Sequence, residues 1–375
     1  MGTARHIFPG NNTPKGFFSY YKYILGQREA NRIICIKGGP GTGKSSFMRK
    51  IGENFLDSGE DVDFMHCSSD PDSLDGIVLK DRKIAFIDAT SPHIVDPVSP
   101  GAVDSIVHLG DYWDEAGIRR NKLSVIESNE KIKKWFQRAY NYLGAAEKLH
   151  DNLSDIYSAA IESAEVYKIA AEIVGKELAH KEICLRPGEV KKYFASAITP
   201  AGMRNYLPEL AAGYKKIYLI SGPSDVSAER ILNIFAEGAI YRGFAVEEYF
   251  CPLKPESKME HLLVPEISVA FITANEYHDV EPWQLGNADE EENQPEIILI
   301  DMNDLVAQSA LEPYETFIDE CRKLEEEMMQ KAVDCIAKAK KEHDVLESYY
   351  IPNMDFKKIN ELSDEIIAKI REKEL

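Results

Sequence analysis

Apolar residues in this chain fall into two kinds of run. Short, mostly apolar stretches at Ile33 to Ile36, Val62 to Met65 and Ile84 to Ile87 return further on as Ile217 to Ile220, Val246 to Phe250 and Val269 to Ile272. Their length and composition predict strands buried on both faces. Between them, residues such as Phe47, Met48, Ile51, Phe55 and Leu56 step by threes and fours, as on one face of a helix. Strands alternating with helices predict an α/β fold with parallel sheets. Longer helical stripes follow each set: Leu149, Leu153, Ile156, Ala160, Ala164, Tyr167 and Ala171, then Phe317, Cys321, Leu324, Met328, Ala332, Cys335 and Ala339. Each stripe predicts an apolar face packed on its own α/β half or on the other helical segment, and an arm for a protein partner is the other use of such a face.

The runs recur because the chain is written twice, at a spacing of about 185 residues. Phe8 with Thr13-Pro14-Lys15-Gly16 returns as Phe194 with Thr199-Pro200-Ala201-Gly202. His66-Cys67 followed by Pro71 and Ser73 returns as Phe250-Cys251 followed by Pro255 and Ser257. His93 and Pro97 return as His278 and Pro282, and Asp111 and Asp114 pair with Asp301 and Asp304. The repeat divides the chain into a first α/β unit over 1–120, its helical segment over 121–186, a second α/β unit over 187–311 and its helical segment over 312–375.

The first unit carries Gly38-Gly39-Pro40-Gly41-Thr42-Gly43-Lys44-Ser45-Ser46 between a strand and a helix, which fits GxxxxGK[ST]. Glycines let the backbone approach phosphate oxygens closely, and the helix behind points its free amides at them. Lys44 then serves the β- and γ-phosphates, and Ser45 offers a hydroxyl to magnesium. The pattern predicts binding of a nucleoside triphosphate, ATP with Mg2+. A metal-bound triphosphate also wants a carboxylate at a neighbouring strand end, and Asp88 after Ile84 to Ile87 supplies it as a metal ligand.

The repeat separates groups that serve the fold from groups free to serve chemistry. In the second unit the loop reads Ser221-Gly222-Pro223-Ser224-Asp225-Val226-Ser227-Ala228, without lysine or closing glycine, and Asp225 would repel phosphate. Thr273 stands opposite Asp88, Lys254 opposite Asp70 and Met259 opposite Asp75. The second unit is therefore expected to be a degenerate copy whose loop takes no phosphate. One of its arginines, Arg204, Arg230 or Arg242, could still present a cation to the first loop. Ala89 follows Asp88 where a catalytic glutamate is usual. Asp70 and Asp72, on the loop after the second strand, are the candidates for a base or for substrate ligands; turn formation and capping would use the same residue types.

Charge narrows the partners. Lys and Arg total 44 against 63 Asp and Glu, a net −19, which disfavours general nucleic-acid or anionic-membrane binding. No long apolar run or leader is present, so the reading is cytoplasmic. The six cysteines, without a CxxC, read as reduced thiols. His66, Cys67 and His93 could be imagined around zinc, but their spacing matches no usual ligand pattern.

The segments Gly38 to Ser45, His66-Cys-Ser-Ser-Asp-Pro-Asp-Ser-Leu-Asp75 and Asp88-Ala-Thr-Ser-Pro-His-Ile-Val-Asp-Pro97 together resemble a bacterial family of tandem P-loop proteins labelled as ATPases or nucleotide kinases. The resemblance spans nearly the whole chain, implies ATP binding through Lys44 and Ser45, and names no substrate. Three functions stay open: a magnesium-dependent ATPase acting as a switch through the first unit, a kinase of a nucleotide or other small molecule, and a nucleotide-sensing scaffold without turnover.

Overall fold

The computed structural model describes residues 2–91, 95–226, 228–286 and 294–372. The first half runs β1 (Ala4–Ile7), a hairpin of β2 (Gly10–Thr13) and β3 (Gly16–Ser19), β4 (Arg32–Lys37), α1 (Lys44–Asp57), β5 (Val62–His66), β6 (Leu74–Leu79), β7 (Ile84–Asp88), β8 (Asp104–His108) and α2 (Glu115–Arg120). Two helices close it, α3 (Lys122–Ala160) and α4 (Ser163–Leu178). The second half follows with β9 (Val190–Tyr193), the hairpin β10 (Ser196–Thr199) and β11 (Gly202–Asn205), α5 (Leu207–Ala211), β12 (Lys216–Ser221), α6 (Glu229–Ile240), β13 (Val246–Phe250), β14 (Met259–Val264), β15 (Val269–Ala274) and β16 (Glu296–Asp301). It ends in α7 (Gln308–Leu311), α8 (Glu315–Tyr350) and α9 (Phe356–Arg371).

The strands form two six-stranded sheets of the same order, β1-β5-β6-β7-β4-β8 and β9-β13-β14-β15-β12-β16. Both are mixed rather than parallel as expected. β6 runs antiparallel to β5 and β7, and β14 to β13 and β15, while the other neighbours are parallel. These reversed strands escaped the sequence pattern because Asp75 with Gly76, and Glu260 with His261, interrupt their apolar runs with residues that are poor or neutral strand formers. The pairing also corrects the repeat register. His66 pairs with Leu74 and Phe250 with Met259, so Asp75 corresponds to Glu260, not Met259, and a buried carboxylate is kept in both halves. Likewise β16 ends at Asp301 where β8 ends at His108, so Asp301 does not match Asp111.

Alternation along the strands sorts side chains to two cores. Ile34 and Ile36 of β4 pack on Phe47, Met48, Ile51 and Phe55 of α1, while Ile33 and Cys35 face a central layer that also receives Ile217 and Leu219 of β12. The Thr-Pro-x-Gly segments are the hairpin turns. Gly16 and Gly202 have φ of 99° and 102°, and the hydroxyls of Thr13 and Thr199 each donate to the glycine carbonyl at 2.7 Å. The two hairpins meet near the middle, where Asn11 and Asn12 donate to the carbonyls of Ser196 and Ile198 at 2.8 and 2.9 Å.

The helical segments are crossed between the halves. Val166, Ala170 and Ile173 of α4 pack with α6 of the second half, and Ile359, Ile366, Ile367 and Ile370 of α9 pack with α1 of the first. Packing of each helical face on its own half, one of the two expected outcomes, is thus overturned for these terminal helices. The other outcome holds for α3 and α8, which lie antiparallel, with Lys131 3.6 Å from Glu342 at one end and His150 3.4 Å from Glu325 at the other. Small residues at the crossing, Ala139, Ala146 and Ala332, let the helices approach closely. The first stripe also changes phase. The chain breaks helix at Ile161, so Val166 and Ala170 are buried in α4 while Ala164, Tyr167 and Ala171 are exposed. Among the described residues no helix is long and apolar enough to cross a membrane.

Candidate functional site

The loop from Gly38 to Ser46 links β4 to α1 at the end of the sheet where Asp88 closes β7. Gly41 and Gly43 take φ of 65° and 83°, a conformation that side chains with a Cβ resist, and Gly43 caps α1 so that its first amides open toward the loop. The three charged or hydroxylic groups singled out in the sequence converge. Lys44 Nζ donates to the carbonyls of Gly38 and Gly39 at 3.3 and 2.9 Å and lies 3.6 Å from the Asp88 carboxylate, both side chains being 13% exposed. Ser45 Oγ accepts from the Leu74 amide at 2.9 Å, which ties the loop to β6. Asp88 accepts from the Thr90 amide at 2.9 Å, and the Thr90 hydroxyl donates to Gly38 O. Ser45 and Asp88 offer the hard oxygen donors that magnesium takes, and the loop amides with Lys44 match a phosphate chain, so these residues fit the implied group.

A cavity of about 620 Å³ opens from this loop. Asp70, Asp72 and Asp75 line one side, and Phe136 of α3 with Lys340 and His343 of α8 line another. Asp70 accepts from the Ser73 hydroxyl at 2.9 Å, closing the turn, and also faces Lys340 Nζ at 3.4 Å. Asp72 projects outward, 3.6 Å from Arg204 of β11. Arg204 therefore reaches the rim of the site. Arg230 instead donates to the Ser163 hydroxyl, and Arg242 to the carbonyls of Leu178, Lys181 and Gly238, so neither serves the first loop.

Sequence reasoning missed what α8 brings. Gly41 N donates to Glu347 Oε1 at 3.1 Å. A Cβ built on Gly39 would lie 2.9 Å from the Tyr350 ring, on Gly41 3.0 Å from Ile351, and on Gly43 3.2 Å from Phe356. The corner between α8 and α9 thus rests directly on the glycine loop. Nothing in the sequence signalled this, because Glu347 sits in a charged stretch indistinguishable from a solvated helix face.

The second loop is built differently. Ser224, two residues past Gly222, donates its amide and hydroxyl to Glu276 at 3.0 and 2.5 Å. Lys258, at the start of β14, donates to Ser224 O at 2.8 Å and lies 3.6 Å from Glu260. Asp225 is buried, 3.1 Å from His150 and 3.6 Å from Arg322. The loop itself holds no lysine, but Lys258 and Arg322 bring cations to this region from outside it. A small pocket at this loop holds only about 20 Å³, room for roughly one water, and a groove of about 810 Å³ runs past Gly222 and Pro223 to α8. Ser227 lies outside the described residues.

Two buried histidine clusters lie near this loop, His150 with Asp225 and Glu325, and His261 with His278 and Glu260. Lys258 donates to His150 Nε2 at 3.2 Å, which puts the ring proton on Nδ1 toward Asp225 and Glu325. The Thr273 amide donates to His261 Nδ1 at 3.1 Å, which leaves the proton on Nε2. Neither His150 nor His261 presents a free lone pair to its cluster, and the Nε2 of His278 is paired with the Ser196 hydroxyl at 2.8 Å. His66, imagined around zinc, uses both nitrogens, on Pro71 O and on His6, each at 2.8 Å; burial holds its imidazolium down at about 4. His93 lies outside the described residues.

Comparison of the chain with family models, with curated proteins and with solved structures gave no match.

Proposed function

We propose that the protein binds a magnesium nucleoside triphosphate, in the first instance ATP, on the loop from Gly38 to Ser46 and hydrolyses it as a switch that moves α3 and α8. The observation that carries this reading is the convergence of Lys44, Ser45 and Asp88 at the mouth of a cavity walled on its far side by those two helices. On this view the halves are tandem phosphate-loop units, and the second keeps the framework while Glu276 fills the place of an anion. Lys44 would serve the phosphates, and Ser45 with Asp88 would hold the metal, which would supply charge neutralisation. Ala89 carries no base, so turnover would be slow, with Asp70 on the cavity wall as the candidate to orient a water.

The cavity also favours a second reading. Beyond the loop it extends to Ile132 and Phe136, with Asp70 and Lys340 facing each other, space in which a small acceptor could lie beside the phosphates. Incubation with γ-labelled ATP and magnesium, with and without a metabolite extract, separates the two. Label in free phosphate alone supports the switch, and label in a small molecule supports the kinase. Absence of bound nucleotide overturns both.

A further inference from the structure

The contact between Gly41 and Glu347 gains meaning from the second loop. There a loop amide, that of Ser224, donates to the carboxylate of Glu276, which lies two residues past β15 in the same half. In the first loop the carboxylate on the Gly41 amide comes from α8, which belongs to the other half of the chain. Both loops thus hold an internal carboxylate on a loop amide, but only the second supplies it from its own half. Glu276 is held twice, through the Ser224 amide and hydroxyl. Glu347 is held by one hydrogen bond of 3.1 Å, with His343 3.7 Å away, and its side chain is 30% exposed.

Resting on the nucleotide reading, we propose that Glu347 and a triphosphate compete for the Gly41 amide, so that nucleotide binding and docking of the α8–α9 corner on the loop exclude each other. A carboxylate and a phosphate oxygen cannot share one donor at hydrogen-bond distance without strong like-charge repulsion in a partly desolvated site. Tyr350, Ile351 and Phe356 pack on the same glycines, so they move with Glu347 when it leaves. The displacement has a defined route. α8 is one continuous helix from Glu315 to Tyr350, and its other end places Arg322 beside Asp225 of the second loop and Glu325 beside His150 of α3. From Arg322 to Glu347 the helix spans about 37 Å at 1.5 Å per residue, and a shift at one loop is carried along it to the other.

Calorimetric titration of Mg-ATP into the wild-type protein, Glu347→Gln and Glu347→Ala tests the competition, with hydrogen exchange read over residues 39–43 and 350–356. Removing the internal anion is expected to tighten binding about tenfold in Glu347→Ala and by an intermediate factor in Glu347→Gln. Saturating nucleotide should speed exchange over 350–356 in the wild type and leave it unchanged in Glu347→Ala. Equal affinities for the three proteins overturn the competition and leave the nucleotide reading standing. No binding by any of them overturns both.

Discussion

Arg5 of the first sheet grips Glu247 of the second. Its Nη1 donates to both Glu247 carboxylate oxygens at 2.7 and 2.6 Å, while Nε and Nη2 close a fork on Asp63 at 2.8 and 2.6 Å. The three side chains are 18%, 11% and 7% exposed, so this is a nearly buried triad joining the halves. Arg5→Ala is expected to cost about 3 to 5 kcal/mol in urea unfolding, because two carboxylates then stay buried without their partner.

The same triad sets an acid limb. Burial pushes the Glu247 carboxyl up, but Arg5 and the Tyr249 hydroxyl outweigh it and hold it below its ordinary value. A depressed folded value means stability that is complete above the unfolded range near pH 4.5 and is lost as pH falls through the folded value. In Arg5→Ala the depression is gone, so the stability gap between variant and wild type should narrow as pH falls below about 4.5. A gap that stays constant to pH 3 would show that Arg5 acts through packing rather than charge.

Lys44→Ala removes the cation at the loop and leaves the glycine turn intact. Mg-ATP affinity is expected to fall at least about tenfold with no change in circular dichroism. Unchanged affinity by calorimetry would remove the phosphate loop from the functional account.

Asp88→Ala should act through the metal. Binding in magnesium is expected to weaken to the level seen in EDTA, while metal-free binding stays within about twofold of the wild type. Equal losses in both conditions would mark Asp88 as a residue that fixes Thr90 and the loop rather than a metal ligand.

The crossed helices make a prediction of their own. Ile370 of α9 is fully buried against the α1 side of the first sheet, and Ile370→Ala is expected to cost about 2 to 4 kcal/mol. Hydrogen exchange should rise across α1, over Lys44 to Asp57, before it rises across α6. Simultaneous loss of protection in the two helices would argue against a local coupling.

Legibility followed locality. The loop, Lys44, Ser45, Asp88 and α1 could be read because strand, glycine turn and amphipathic helix are contiguous and each has its own period. β6 could not, since a strand containing Asp75 and Gly76 gives no alternating signal and its neighbours hold it by long-range pairing. The exchange of α4 and α9 was hidden for another reason: one apolar face fits either half equally well, and only loop lengths and three-dimensional packing choose between them. Glu347 lay deepest, its role set by a hydrogen bond to a residue at the other end of the chain.

The position of α9 bears on how the protein comes into being. α1 leaves the ribosome roughly 300 residues ahead of the helix that covers it, so the glycine loop waits through that interval with an apolar flank unclad. At 5–20 residues per second the roughly 300 intervening residues take on the order of 15 to 60 s, ample time for chaperone capture or proteolysis. A nascent chain stalled before α9 should therefore be protease-sensitive around α1 and unable to complete its first half, however well formed its sheet.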